Sequence, residues 1–97
     1  MIRSFRDAAT DDLFYGRDTK AARRRLPTTL WSLASRKLDA VDQAGELGDL
    51  RVPPGNRLEA LRGDRQGQHS IRINNQFRIC FRWADSGLDE VEIVDYH

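Results

Sequence analysis

The chain has 97 residues, 39% of them hydrophobic and 32% charged, enough for one modest core under a heavily charged surface and too few for two domains. No apolar run approaches the roughly 20 residues that cross a membrane. The opening MIRSFRDAATDD lacks the apolar stretch of a signal peptide, and one cysteine, Cys80, excludes an internal disulfide framework. There is no CxxC or HExxH spacing and no glycine-rich phosphate loop, so the sequence implies neither metal nor cofactor. The expected setting is the cytoplasm of a reducing cell, away from any membrane.

Net charge is +1, but it is unevenly spread. Residues 1–50 carry nine basic and eight acidic side chains. Residues 51–82 carry seven arginines against Glu59 and Asp64, a net of +5, and residues 83–97 carry five acids and no Lys or Arg, a net of −5. An all-arginine basic block suits bidentate recognition of phosphate; a solvated, arginine-rich sheet surface reads equally well from charge alone.

In chain order, IRSF (2–5) is a short strand and RDAATDDLFYG (6–16) a short helix stopped by Gly16. The polar RDTKAARRR (17–25) reads as a linker or a loosely helical turn, whose arginines are a solvated face or an RNA contact. LPTTLWSLASRKLDAVDQAGEL (26–47) is the strongest helix, with Pro27 in its first turn, an apolar stripe of Leu30, Leu33, Ala34, Leu38 and Val41, and Gly45 as its C-cap. Trp31 lies off that stripe, at the edge of the core or against a partner. GDLRVPPGNR (48–57) is a loop.

From residue 57 the hydrophobic period changes to two. RLEALR (57–62) and QHSIRI (68–73) are strands about the turn GDRQG. FRICFRW (77–83) follows the tight turn NNQ, and LDEVEIVDYH (88–97) follows ADSG. Phe77, Ile79, Phe81 and Trp83 face the core, which leaves Arg72, Arg78 and Arg82 on the other face. The order β-α-α-β-β-β-β predicts an α+β domain over 1–97, an antiparallel sheet with helices on one face and an open arginine-bearing surface on the other.

Such a surface fits a phosphodiester. RNA supplies its own nucleophile, the 2′-OH, so the protein must supply a base, an acid for the 5′-oxygen and positive charge between them. Histidine, with an ordinary pKa of roughly 6.5, occurs only as His69 and His97. His97 is the stronger candidate, delivered beside Tyr96 at a strand end where an α-carboxylate favours the imidazolium; its plain alternative is an exposed, frayed terminus. Tyr96 is placed to stack on a base or donate to a phosphate oxygen. His69 fits a structural role in its strand, Cys80 an inert filler, and Asp95 a hydrogen-bond acceptor.

The motifs LxxL[KR]GDR, SIRINxQ[FW]RICF and a closing DYH, together with MIRSF and RKLDAVDQA, resemble the HigB group of the RelE/ParE toxin superfamily across nearly the whole chain. The resemblance implies a RelE-like compact antiparallel sheet with two helices on one face. It also implies a toxin of a type II toxin–antitoxin system that cleaves mRNA in the A site of the 70S ribosome by metal-independent 2′-OH attack. The implied partner is a HigA-like helix-turn-helix antitoxin, with operator DNA bound only through that complex. Carried over by position, the transition-state clamp falls on Arg78 and the closing triplet on Asp95, Tyr96 and His97. The basic residue before Gly-Asp-Arg falls on Arg62, where relatives often have lysine; an arginine there stabilises charge but cannot act as a base. Glu59 stands where some relatives have histidine, as a possible base or as an ion-pair partner of Arg62. Arg65, Arg72, Arg82 and His69 are implied RNA contacts. Two other functions fit the same scaffold: a ParE-like inhibitor of DNA gyrase without nuclease activity, and a catalytically weakened co-repressor acting with its antitoxin.

Overall fold

The computed structural model describes residues 1–96. Three helices, α1 (Ala8–Phe14), α2 (Lys20–Arg25) and α3 (Trp31–Gln43), precede four strands: β1 (Glu59–Ala60), β2 (His69–Arg72), β3 (Phe77–Ala84) and β4 (Gly87–Asp95). The strands form one antiparallel sheet in the order β1-β2-β3-β4, so the α+β expectation holds. Ala34, Leu38 and Val41 of α3 share one core with Ile71, Ile79, Phe81, Val91 and Ile93 of the sheet. No helix among the described residues is long and apolar enough to cross a membrane.

The segment 17–25, expected as a linker or loose turn, contains a true helix. Thr19 caps α2 by accepting from the Ala22 N–H at 3.1 Å, Asp18 pairs with Arg23 at 2.6 Å, and three arginines in the last turn complement the helix dipole. There are therefore three helices where two were expected. The long helix also starts later than its pattern suggested. Leu26 precedes a proline and is extended at φ −144°, ψ 132°, so Pro27 leads into a separate 3-10 turn at Thr28–Leu30 and α3 begins at Trp31. Trp31 seals the core edge, its indole N–H donating to the Leu26 carbonyl at 2.9 Å. Gly45 is not the C-cap. Ala44 is already extended, and the Gly45 and Glu46 N–H groups donate to Asp49 at 3.0 Å each, which starts the next 3-10 turn, Leu47–Arg51.

Residues 2–5 do not form a full strand. They run parallel to β4 through bridges at Ile2–Leu88 and Phe5–Val91, with Arg3 N–H donating to the Leu88 carbonyl at 2.7 Å. Further along the same edge of β4 the helices take over. The buried Thr10 hydroxyl accepts from the Ile93 N–H at 3.0 Å, and Arg25 donates to the Ile93 carbonyl at 2.7 Å while pairing with Asp7 at 2.6 Å. This covering of an exposed strand edge fixes the helices against the sheet and leaves the opposite sheet face for the site.

Candidate active site

The β2–β3 register sets Ser70 opposite Cys80 and Arg72 opposite Arg78, so these four side chains share the face away from the helices. That face is less open than expected. Ser70 and Cys80 are fully buried, and the Arg78 side chain is only 11% exposed, because the arginines lie across the sheet instead of standing away from it. Arg65 pairs with Glu92 at 3.0 Å, Arg82 with Glu90 at 2.6 Å, and the Arg72 Nε donates to the Asn74 carbonyl at 3.0 Å. The basic block and the acidic block of the sequence thus meet as cross-sheet ion pairs, and three of the arginines expected to hold RNA already have protein partners.

Arg78 is held differently. Its Nε donates to the Ser70 hydroxyl at 2.8 Å, and its Nη2 to the Arg57 carbonyl at 2.7 Å and, weakly, to the Ser70 carbonyl at 3.4 Å. Arg57 presents that carbonyl from a left-handed backbone, φ 47°, ψ 54°. Glu59 lies 3.7 Å from Nη2, so the ion pair expected between Glu59 and Arg62 forms with Arg78 instead: β1 pairs Glu59 with Ser70, directly beside the Arg78 side chain. The Arg78 guanidinium also lies over the Tyr96 ring, 5.7 Å from its centroid. Tyr96, anchored by its N–H to the Gln76 carbonyl at 2.7 Å, borders a cleft of about 520 Å³ together with Glu59, Ala60, Leu61 and Arg62. Arg62 is exposed and has no ion pair among the described residues.

Arg78, Tyr96, Glu59 and Arg62 are therefore brought together. Two expected site residues are not. Asp95 pairs in register with Phe77, which puts it on the helix-covered face, accepting from Gln76 at 3.1 Å. His69 pairs with Phe81 and stacks on its ring at 6.5 Å, also on the helix side, with its Nδ1 buried and without a hydrogen-bond partner among the described residues. It borders a second cleft of about 550 Å³ with Arg51, Arg57 and Glu59, on the side that its alternation with Ile71 and Ile73 sets for it. His97 lies outside the described residues. Burial pushes the Cys80 thiol up, against the pull of Arg65, in line with an inert filler. The described residues contain no His/Cys/Asp/Glu cluster that could hold a metal ion.

Ser70 and the Arg57 carbonyl are the parts sequence reasoning missed. Alternation alone puts Ser70 on the arginine face, but only the register makes it the diagonal neighbour of Arg78.

Residues 3–97 match the sequence model of HigB-like toxins, described as RelE-like toxins of type II toxin–antitoxin systems. The chain is 40% identical over 85 residues to Toxin HigB-1 of Vibrio cholerae, covering 88% of this chain and 86% of that protein. It is 30% identical over 97 residues, the whole of both chains, to Endoribonuclease HigB of Proteus vulgaris. Among solved structures it resembles the YoeB–YefM complex from Staphylococcus aureus, with a TM-score of 0.60 over 100% of this chain and 98% of that one, at 16% identity, a likeness of fold.

Proposed function

Because the chain belongs to the HigB-like family of RelE-like toxins of type II toxin–antitoxin systems, we propose that it is an endoribonuclease that cuts mRNA in the ribosomal A site. The observation that carries the reading is the guanidinium of Arg78, held on a sheet face beside Glu59 and Tyr96, two of the residues that line a cleft together with Arg62. In the proposed reaction the 2′-OH attacks the adjacent phosphorus, its proton goes to a base, and the P–O5′ bond breaks as an acid protonates the leaving oxygen. The products are a 2′,3′-cyclic phosphate and a 5′-OH. Arg78 and Arg62 stabilise the charge that builds on the non-bridging oxygens, and Tyr96 offers a ring for a base and a hydroxyl for a phosphate oxygen.

His97, next to Tyr96 in the chain, is the proposed proton carrier, since an imidazole serves either role near neutral pH. Glu59 reaches the cleft and, beside Arg78, is the other group able to accept the 2′-OH proton. The reaction needs no metal in this scheme, because the nucleophile belongs to the RNA and the arginines supply the charge. In the same reading a HigA-like antitoxin inhibits the toxin, and operator DNA is bound only through that complex.

The test is a translating extract supplied with purified protein and a defined mRNA, with 5′ ends mapped by primer extension. In-frame cuts that require ribosomes and disappear with His97→Ala and Arg78→Ala are expected. Intact mRNA with undisturbed translation overturns the nuclease reading and turns attention to gyrase poisoning or to repression alone.

A further inference from the structure

We infer that Ser70 and the Arg57 carbonyl are positioning groups that lock one edge of the Arg78 guanidinium and so aim its free Nη1 at the scissile phosphate; the catalytic part of this rests on the nuclease reading. A guanidinium has a donor edge, Nε with one Nη, and a second Nη beyond it. In Arg78 the Nε and Nη2 donors are taken by Ser70 Oγ at 2.8 Å and the Arg57 carbonyl at 2.7 Å. Nη1 has no acceptor among the described residues. The guanidinium carbon lies over the Tyr96 ring, 5.7 Å from its centroid.

The chemistry of the holding groups matters. Arg65 and Arg82 are tied by carboxylates at 3.0 and 2.6 Å, contacts that orient a guanidinium and also answer its charge. A hydroxyl and a carbonyl orient it and leave the charge in place, while the Glu59 carboxylate, which alone pairs with Arg78 among the described residues, stands off at 3.7 Å and is half exposed. A long arginine side chain free in solution would have to be ordered during the reaction; here the order exists beforehand. Ser70 is fully buried, and the Arg78 Nε–H is the donor its hydroxyl accepts from. The left-handed backbone of Arg57, costly for a residue with a Cβ, turns its carbonyl toward the same guanidinium.

Ser70→Ala removes one oxygen atom and its hydrogen bond. With ribosome-bound mRNA it is expected to lower kcat roughly ten- to a hundredfold, as for a lost hydrogen bond to a charged group, with KM unchanged. In an Arg78→Lys background, where no Nε–H of the same geometry exists, the same substitution should change kcat less than about twofold. An NMR spectrum of the arginine side chains reads the cradle without any substrate: the Arg78 Nε–H should exchange slowly in the full chain and join the fast-exchanging arginines in Ser70→Ala, with the Arg65 signal unmoved. An unchanged kcat, an equal loss in both backgrounds, or an Nε–H that stays protected overturns the inference. A wild-type protein that leaves ribosome-bound mRNA intact overturns the nuclease reading and the catalytic consequence with it, and the exchange of the Arg78 Nε–H still decides whether Ser70 holds the guanidinium.

Discussion

Arg78 and Arg82 lie on one strand, four residues apart, and differ in what holds them: neutral oxygens for the first, a carboxylate for the second. Charge alone does not substitute for Arg78, because a lysine has no planar fork that can bind the cradle on one edge and a phosphate on the other. Arg78→Lys is expected to cost roughly a hundredfold in kcat, within the range seen when one transition-state donor is removed, and a Tm near wild type would separate this loss from unfolding. Asp7 is a different kind of residue, structural and pH-sensitive. It caps α1 by accepting from the Thr10 N–H at 2.9 Å and pairs with Arg25. Partial burial works to raise its pKa, but the Thr10 and Arg25 hydrogen bonds outweigh burial and hold the carboxyl below its ordinary 3.8. A depressed carboxylate binds its proton more readily in the unfolded chain, so its contribution is complete above that ordinary value and is lost as pH falls through the lower folded one. The unfolding free energies of wild type and Asp7→Asn from urea melts should therefore differ by a constant amount, about 1 kcal/mol, from about pH 7 to pH 5, and the difference should shrink as pH falls below 3.8; a gap that does not shrink on acidification would place the effect outside the charge.

At the scale of elements, the outer edge of β4 has two coverings, and each depends on one small feature. Gly87 opens β4 at φ +143°, and a Cβ there would meet the Met1 carbonyl oxygen at 2.6 Å. That carbonyl accepts from the Leu88 N–H at 2.9 Å. Gly87→Ala should cost about 1–3 kcal/mol and, in hydrogen exchange, release the Leu88 and Val91 amides together, since the N-terminal segment separates from the strand. Further along, Thr10→Val keeps the shape of the side chain but leaves the Ile93 N–H without its hydroxyl acceptor. A loss of about 1–3 kcal/mol is expected, read as a lower midpoint in chemical denaturation.

On the scale of the whole molecule, the arginine-rich stretch and the acidic C-terminal stretch largely answer each other across the sheet. Of the arginines in the basic stretch, Arg51, Arg57 and Arg62 border the two clefts and Arg78 lies beside Glu59 and Tyr96, and these four are the proposed phosphate contacts. Isolated single-stranded RNA should therefore bind with a salt dependence no steeper than about −3 on logarithmic axes, at roughly −0.7 per phosphate neutralised. A slope near about −4 would mean that the Arg65 and Arg82 pairs open to take phosphates as well.

Local pattern was enough to determine much of this. Alternation in FRICFRW and QHSIRI gave the strands and their faces, the closing strand was read at nearly its true length, and the motifs around Arg62, Arg78 and Tyr96 identified the family. Each of these depends on neighbours a few residues apart. Tertiary structure decided the rest. A polar segment became α2 through the Thr19 cap and its docking against α1, which composition does not encode. Asp95 and His69 lie on the helix side, in phase with Ile93 and Ile71, as the period of two along each strand already sets; which residues they meet there was decided by the pairing. Whether an arginine is bound by a carboxylate or by a hydroxyl depends on which residue lies across the sheet. Ser70, eight residues before Arg78, reaches it only because the hairpin closes in one register, and register is a property of the folded sheet.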